Sequence, residues 1–425
     1  MSNRSIILNA IGKEDDYLKK NPVITFLKSD YKKHTNFSKN IIKVCSTSNR
    51  NDKINYNFGE LVHFEIDKSG DLLLNISLEI RVKGDDWNNN LVVAQTIYSL
   101  IDYIEIIADT KVLERLRGEW IYIWHQLHGN NNSDNNIYDS AYASNNNLLN
   151  DSNVEHKLLL KIPFWFSLNA GLALPLWAIQ HERIHIRLKL KNKSEICLES
   201  ENRNLFIKNI ELILEIVDLD KLEKSKFQNN QLEYLIEQVE FSGNNIIESN
   251  FNSRKKIEIE RFPYVTEIFW IFSGINFRNN VSNEFNPNNY YNFWLNFDGN
   301  PLTRLDHTKN TTILLNGNPI NQRLKGSYYR KIPRYESHNT ISTKDKYGKE
   351  IKEPNIHSYN CIYSYSFSFN PQNIKPSGFL STNKFNSMHL DIELNKANYD
   401  RNLNIYIKRF NIIRINNGYI NLVHI

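Results

Sequence analysis

Cysteine is scarce: Cys45, Cys197 and Cys361 are the only three in 425 residues, odd in number and far apart. That pattern argues against a secreted disulfide framework and suits a reducing compartment. Only 15 glycines are present, with no Gly-rich phosphate loop among them, so a nucleotide cradle is hard to build. No run of about 18 consecutive apolar residues occurs. Pro163–Ile179 carries Ser167 and Asn169, and Phe262–Phe277 carries Glu267. The first residues, MSNRSIILNAIGKEDD, hold no apolar segment of secretory length, and the expectation is a soluble protein made inside the cell. A strong charge of one sign is also missing. The net charge is +5, from 52 basic and 47 acidic residues that are interspersed, and the pI is about 8.7. This falls short of the basic footprint of a nucleic-acid domain.

What the chain does have is aromatic and β-branched bulk: 22 Tyr, 22 Phe and 7 Trp within 40% hydrophobic residues. At this length there is material for two or three cores, since single cores stop growing at about 250 to 300 residues. Period-two alternation marks strands at Phe58–Ile66, Asp71–Val82, Leu100–Ile107, Lys157–Ile162 and Leu205–Val217, and Asn21–Phe26 reads as another. Val112–Leu127 places Leu113, Leu116, Trp120, Ile123, Trp124 and Leu127 at helical spacing and predicts one amphipathic helix. Pro163–Leu190 reads as an aromatic loop feeding a strand with Ile184, Ile186, Leu188 and Leu190 on one face. Asn130–Asn150 is a polar surface loop, and the charged stretch Asp218–Leu235 predicts a helical or extended link.

The second half repeats this plan. Ile257–Phe272 (with Pro263 inside it), Tyr291–Phe297 and Asn404–Ile415 read as strands, and Ile313–Leu315 leads into the turn Asn316–Pro319. Leu324–Arg334 holds the place of the tryptophan helix, Ser337–Asn355 is a second polar excursion, and Cys361–Leu394 repeats aromatic alternation, loop and strand. Gly118 precedes Phe164 by 46 residues and Gly326 precedes Phe367 by 41; Gly118 precedes Ile186 by 68 and Gly326 precedes Leu390 by 64. Landmarks held at nearly constant separation indicate duplication. The expected fold class is therefore all-β, two tandem jelly-roll β-sandwiches with short helices in loops. The expected division is an N-terminal arm at 1–20, a first jelly roll at 21–217, a linker at 218–236 and a second jelly roll at 237–425.

Few constellations suggest chemistry. His181-Glu182-Arg183-Ile184-His185 satisfies the H-E-x-x-H zinc-protease pattern, which needs both histidines on one helical face. The alternation from Ile184 onward says strand, where residues four apart stand roughly 13 Å from each other. Asp298-Gly299 and Asp306-His307 form an acidic and imidazole cluster, without a third ligand or nucleophile at a telling spacing, and read as turns. Trp120 and Trp124 suit a sugar-stacking platform; the buried face of a helix on a sheet is the favoured reading. Lys32, Lys33 and His34 are too few to hold nucleic acid. Sequons at Asn36, Asn75, Asn131, Asn150, Asn192 and Asn310 follow from the Asn-rich composition. No catalytic, cofactor-binding or metal-ligating residue is expected, and no cofactor.

Five separated segments carry a resemblance: NPVITFLKSDYKKHTNF (Asn21–Phe37), DLLLNISLEI (Asp71–Ile80), GEWIYIWHQL (Gly118–Leu127), PFWFSLNAGLALPL (Pro163–Leu176) and PSGFLSTNKFNS (Pro376–Ser387). In their order they resemble the major capsid proteins of nucleocytoplasmic large DNA viruses, the double jelly-roll capsid family. The resemblance implies a structural viral capsid protein and not an enzyme. Three chains would form a pseudo-hexameric capsomer, and capsomers would tile an icosahedral shell. It further implies a location in the virion after assembly in the host cytoplasm. Partners would be further copies of the chain, minor capsid proteins and an internal viral membrane, without direct sequence-specific nucleic acid binding. Asn130–Asn150 and Ser337–Asn355 would project outward as crown loops, and the N-terminal arm would lie toward the shell's base or a neighbour. The short loops and weaker second-half match keep a minor capsid or scaffold paralogue in view. A carbohydrate-binding double jelly roll using Trp120 and Trp124 is the alternative of a different class.

Overall fold

The computed structural model describes residues 35–47, 55–84, 96–128, 155–196, 205–228, 231–274, 291, 293, 295, 305–338, 361–373 and 375–424. Two compact units separate at Phe37, and the second, Ser38–Ile425, carries the sheets. Asn21–Phe26, Asn130–Asn150, Lys32, Lys33, His34, Asp298 and Gly299 lie outside the described residues.

The first half of the larger unit builds eight strands: β1 (Phe37–Cys45), β2 (Leu61–Glu65), β3 (Leu72–Gly84), β4 (Ile101–Ala108), β5 (Lys111–Arg117), β6 (His156–Ile162), β7 (Ile184–Leu190) and β8 (Leu205–Leu219). They form two four-stranded sheets, in the orders β1-β8-β3-β6 and β2-β7-β4-β5. All registered pairs are antiparallel. Strict alternation explains the layering. On β3, Ile76, Leu78, Ile80 and Val82 are fully buried, and β7 contributes Ile184, Ile186, Leu188 and Leu190 to the same core. Between strands lie α1 (Thr96–Leu100), α2 (Gly118–His128) and the single turn α3 (Trp165–Leu168).

The second half begins after α4 (Lys221–Gln228), so the charged link is helical, and β9 (Leu232–Ile247) starts inside the stretch read as linker. Then come β10 (Arg254–Glu258), β11 (Val265–Gly274), β12 (Thr308–Leu315), β13 (Asn318–Pro319), β14 (Leu324–Lys325), α5 (Gly326–Ser337), β15 (Tyr363–Ser366), β16 (Met388–Leu394), β17 (Arg401–Asn416) and β18 (Tyr419–Leu422). One sheet runs β10-β16-β12-β13, with β14 also on β12; the other runs β15-β11-β17-β18, with β9 on β17. Strand for strand this repeats the first half: β9, β17, β11 and β15 stand as β1, β8, β3 and β6 do, and β10, β16 and β12 as β2, β7 and β4 do. The chain is thus a double jelly roll.

Three expectations are corrected. Val112–Leu127 is not one helix. Its first part is strand β5, paired with β4 across a tight turn in which Asp109 has φ 50, and only Gly118–His128 is helical. Leu113 and Leu116 fit either periodicity, and the hairpin captures them. Ile257–Phe272 is two strands in different sheets, broken around Pro263 and Tyr264, the latter at φ 58. In the stretch Tyr291–Phe297 no strand forms at the described Tyr291, Phe293 and Leu295, although all three are buried. Strands β1, β9 and β18 were not foreseen at these bounds.

Candidate assembly surfaces and the seam between the barrels

The seam is built by α2. Helix formation there depends on Gly118: a Cβ at this position would run into the carbonyl oxygens of Tyr98 and Ile101. Gly326 opens α5 under the same constraint, against the backbone oxygen and hydroxyl of Thr308. Along α2, Ile121 and Ile123 are fully buried, while Glu119 and Trp120 reach the other barrel.

Trp120, 3% exposed, meets the outer face of the β9-β17-β11 layer, with ring centroids 5.2 Å from Phe269 and 5.3 Å from Tyr406. Glu119 Oε2 accepts hydrogen bonds from the Tyr406 hydroxyl at 2.6 Å and from Asn404 Nδ2 at 2.8 Å. Arg117 lies over the Phe241 ring at 4.1 Å. Beside them, Gln238 Nε2 donates to the Leu113 carbonyl at 2.6 Å. Tyr122 stacks on Tyr291 at 4.5 Å. The sugar-platform reading of the tryptophans therefore gives way to packing: Trp120 is buried and Trp124 stacks on His128 at 4.5 Å.

His181 and Glu182 belong to a second part of the seam, and His185 stays within the first barrel's own sheet. His185 sits in β7, opposite Glu65 of β2, and His181 lies before the strand, its ring beside Tyr419 and its N–H on the Gly418 carbonyl. Glu182, 3% exposed, accepts from Lys111 Nζ at 2.7 Å and from the backbone N–H of Ile420 at 2.7 Å. The zincin-like letters are thus a clasp for the C-terminal hairpin. Asp306 pairs with Arg330 at 2.8 Å, and His307 is buried against Phe272 at 4.6 Å, so these two brace the second barrel. Among the described residues no group of three or more His, Cys, Asp or Glu is placed to hold a metal ion.

A cavity of about 260 Å³ lies in the seam, lined by Trp120, Trp124, Trp165 and Phe269 together with Glu114, Glu237, Glu267, His338 and Lys408. Two of its polar pairs are in contact: His338 Nε2 stands 2.8 Å from Glu267 Oε1, and Lys408 Nζ stands 2.8 Å from Glu237 Oε2. Burial pushes the Glu114 carboxyl well above the usual carboxylate range, opposed by the Trp165 N–H it accepts at 3.1 Å. Burial likewise raises Glu237, against the pull of Lys408. His128 is held down at about 3 by burial and then by His338, and burial holds His125 at about 4. Glu119, Glu237, Glu267 and Lys408 escaped the sequence reading. Their signal was faint: isolated charges at alternate positions of apolar strands, and one beside a helix-opening glycine.

Two family models match the chain. Residues 25–218 match the major capsid protein N-terminus, and residues 223–421 match the large eukaryotic DNA virus major capsid protein. The major capsid protein of Pyramimonas orientalis virus is 25% identical over 97% of this chain and 96% of its own length. The major capsid protein of Paramecium bursaria Chlorella virus 1 is 24% identical over 97% of both. In fold, the chain is similar to a chain of the PBCV-1 virus capsid, with a TM-score of 0.72 at 19% identity, covering 94% of this chain and 100% of that one. The Faustovirus major capsid protein gives a TM-score of 0.67 at 10% identity, over 92% and 93%.

Proposed function

This chain belongs to the major capsid protein family of large eukaryotic DNA viruses, and we propose that it is a shell subunit whose work is done by its surfaces, without catalysis. Three copies of a two-barrel chain present six similar barrels, and cyclic closure turns them into a nearly hexagonal tile. The observation that carries this reading is the seam. Two copies of one sandwich are locked rigidly to each other by Trp120 and Glu119, as a tile requires. We take the first barrel to reach from residue 21 to the end of β8 and the second from β9 at Leu232 to the C-terminal strands, with α4 between them, and the shell to be completed by minor capsid proteins over an internal membrane, assembled in the host cytoplasm.

The test is to measure the mass of the purified chain and to image virus particles by electron microscopy. Trimers of the 50.1 kDa chain and hexagonal tiles holding it are expected. A chain that stays monomeric and is absent from particles would overturn the proposal.

A further inference from the structure

The seam cavity is larger than the gaps that packed side chains ordinarily leave. At about 260 Å³ it exceeds the roughly 150 Å³ of an apolar cavity that takes up a benzene-sized molecule. Both barrels build it: Trp120, Trp124, Trp165 and Glu114 come from the first, and Phe269, Glu237, Glu267, His338 and Lys408 from the second. Indoles and a phenyl ring supply much of the wall, so whatever fills the space needs an apolar body.

The polar part of the wall is short of donors. Lys408 on β17 stands opposite Glu267 of β11 on one side and Val239 of β9 on the other, and Glu237 is two residues from Val239, so both carboxylates share the lysine's face of the sheet. Each has one oxygen engaged: Glu237 Oε2 is 2.8 Å from Lys408 Nζ, and Glu267 Oε1 is 2.8 Å from His338 Nε2. Among the described residues, Glu237 Oε1, Glu267 Oε2 and Ser167 Oγ are buried without a hydrogen-bond partner, and all three residues line the cavity. Glu267 is 0% exposed. The nearby donors are committed elsewhere as well, Lys408 to the Pro371 carbonyl and His338 to Gln372 through its other nitrogen. Glu114 adds a third carboxylate, 6% exposed, which accepts the Trp165 N–H. Lys161 adds a second ammonium, so three carboxylates meet two lysines around the space. A buried carboxylate oxygen without a donor is costly until one is supplied.

These conditions select the occupant. An anion would bring more acceptors to a wall already rich in them, and a hydrocarbon would leave the unpartnered oxygens dry. Water serves the oxygens but gains nothing from the indoles. An ammonium group carries three donors and a positive charge, and indole is the ring that attracts cations most strongly. We infer that the seam cavity is a binding site for a small organic ammonium of the size of a short aliphatic diamine, drawn by Glu237 and Glu267, with its hydrocarbon part against Trp120, Trp124 and Trp165. Because the walls belong to both barrels, the bound amine fastens one to the other and stabilises the folded chain as it fills the site. The inference is independent of the capsomer reading.

The test uses the full chain at neutral pH and three probes of equal length: cadaverine, the neutral pentanediol and the dicarboxylate glutarate. Calorimetry reads affinity and stoichiometry, and thermal melting reads stabilisation. The expected result is one cadaverine per chain, bound at least about 10-fold more tightly than pentanediol, with a raised melting temperature, a change in tryptophan fluorescence and no binding of glutarate. Glu267→Gln should weaken cadaverine by about 10-fold or more. Comparison of the three probes on the wild-type chain needs no variant and decides the matter where Glu267→Gln fails to fold. Equal binding of cadaverine and pentanediol, preference for glutarate, or no binding of any probe up to about 10 mM overturns the inference. A folded Glu267→Gln chain that binds cadaverine as wild type does overturns it too.

Discussion

The Tyr406 hydroxyl donates to Glu119 Oε2 at 2.6 Å, joining residues 287 positions apart and tying the last long strand of one barrel to the first turn of a helix from the other. The Tyr406 ring is buried against Trp120, and burial together with the half-buried Glu119 carboxylate pushes the phenol well above its ordinary range. A charge-assisted bond of this kind is worth more than a neutral one. It also discriminates between docked arrangements, because only one orientation of the barrels satisfies it.

Removing the ring beside it should therefore cost more than surface substitutions do. Trp120→Ala is expected to destabilise the chain by about 3–5 kcal/mol, as for buried aromatics elsewhere. Glu119→Gln should cost about 1–2 kcal/mol through the weakened bonds to Tyr406 and Asn404. Denaturant unfolding reads both; a change within the error of wild type for Trp120→Ala would mean the seam does not hold the barrels together.

Gly118→Ala and Gly326→Ala should each destabilise by about 1–3 kcal/mol or more, because the new methyl is driven into backbone oxygens that cannot step aside. Helix propensity alone predicts the opposite sign, since alanine stabilises a helix relative to glycine. The direction of the shift in melting temperature separates the two effects.

Acid should loosen the seam. His128 and His125 have folded values of about 3 and about 4, below the ordinary 6.5. Between those values and 6.5 the unfolded chain binds more protons, so stability falls as the pH drops from about 6.5 toward 4. The limiting slope is about 1.4 kcal/mol per pH unit for each histidine. Glu114 runs the other way: its raised value favours the folded state at low pH and is a cost once the unfolded carboxyl ionises. Unfolding free energies at pH 7, 5.5 and 4.5 for wild type and His128→Gln should show a shallower acid loss in the variant. Parallel curves would contradict burial of a neutral His128.

The H-E-x-x-H letters yield a contrast between neighbours. Glu182→Ala should destabilise by about 1–3 kcal/mol, since it strips the buried Ile420 N–H of its acceptor and Lys111 of its carboxylate partner. His181→Ala, and addition of a chelator, should each change stability by less than about 0.5 kcal/mol. A drop in melting temperature on chelation that His181→Ala abolishes would restore the metal reading.

Strand alternation was plainly legible where one face is buried. Leu72–Gly84 and Ile184–Leu190 were read almost to their ends, because period-two burial leaves an unambiguous mark. Where a segment satisfies two periods, as Val112–Leu127 does, only pairing with β4 decides, and pairing is not written locally. β9 was hidden in a charged stretch because its outer face carries Glu233 and Glu237, whose partners Arg414 and Lys408 stand more than a hundred residues away.

By itself, the order of residues determined the all-β class, the duplication and the absence of a helical H-E-x-x-H, since each follows from periodicity or from spacing along the chain. Only the tertiary structure decided that Trp120 and Glu119 face a second barrel, that Glu182 clasps the C-terminal hairpin, and that Tyr328, Ile332 and Ile41 stay exposed. These are relations between surfaces distant in sequence, set by how two sheets stack and by which faces remain after one pair has mated. Local pattern carries no record of them.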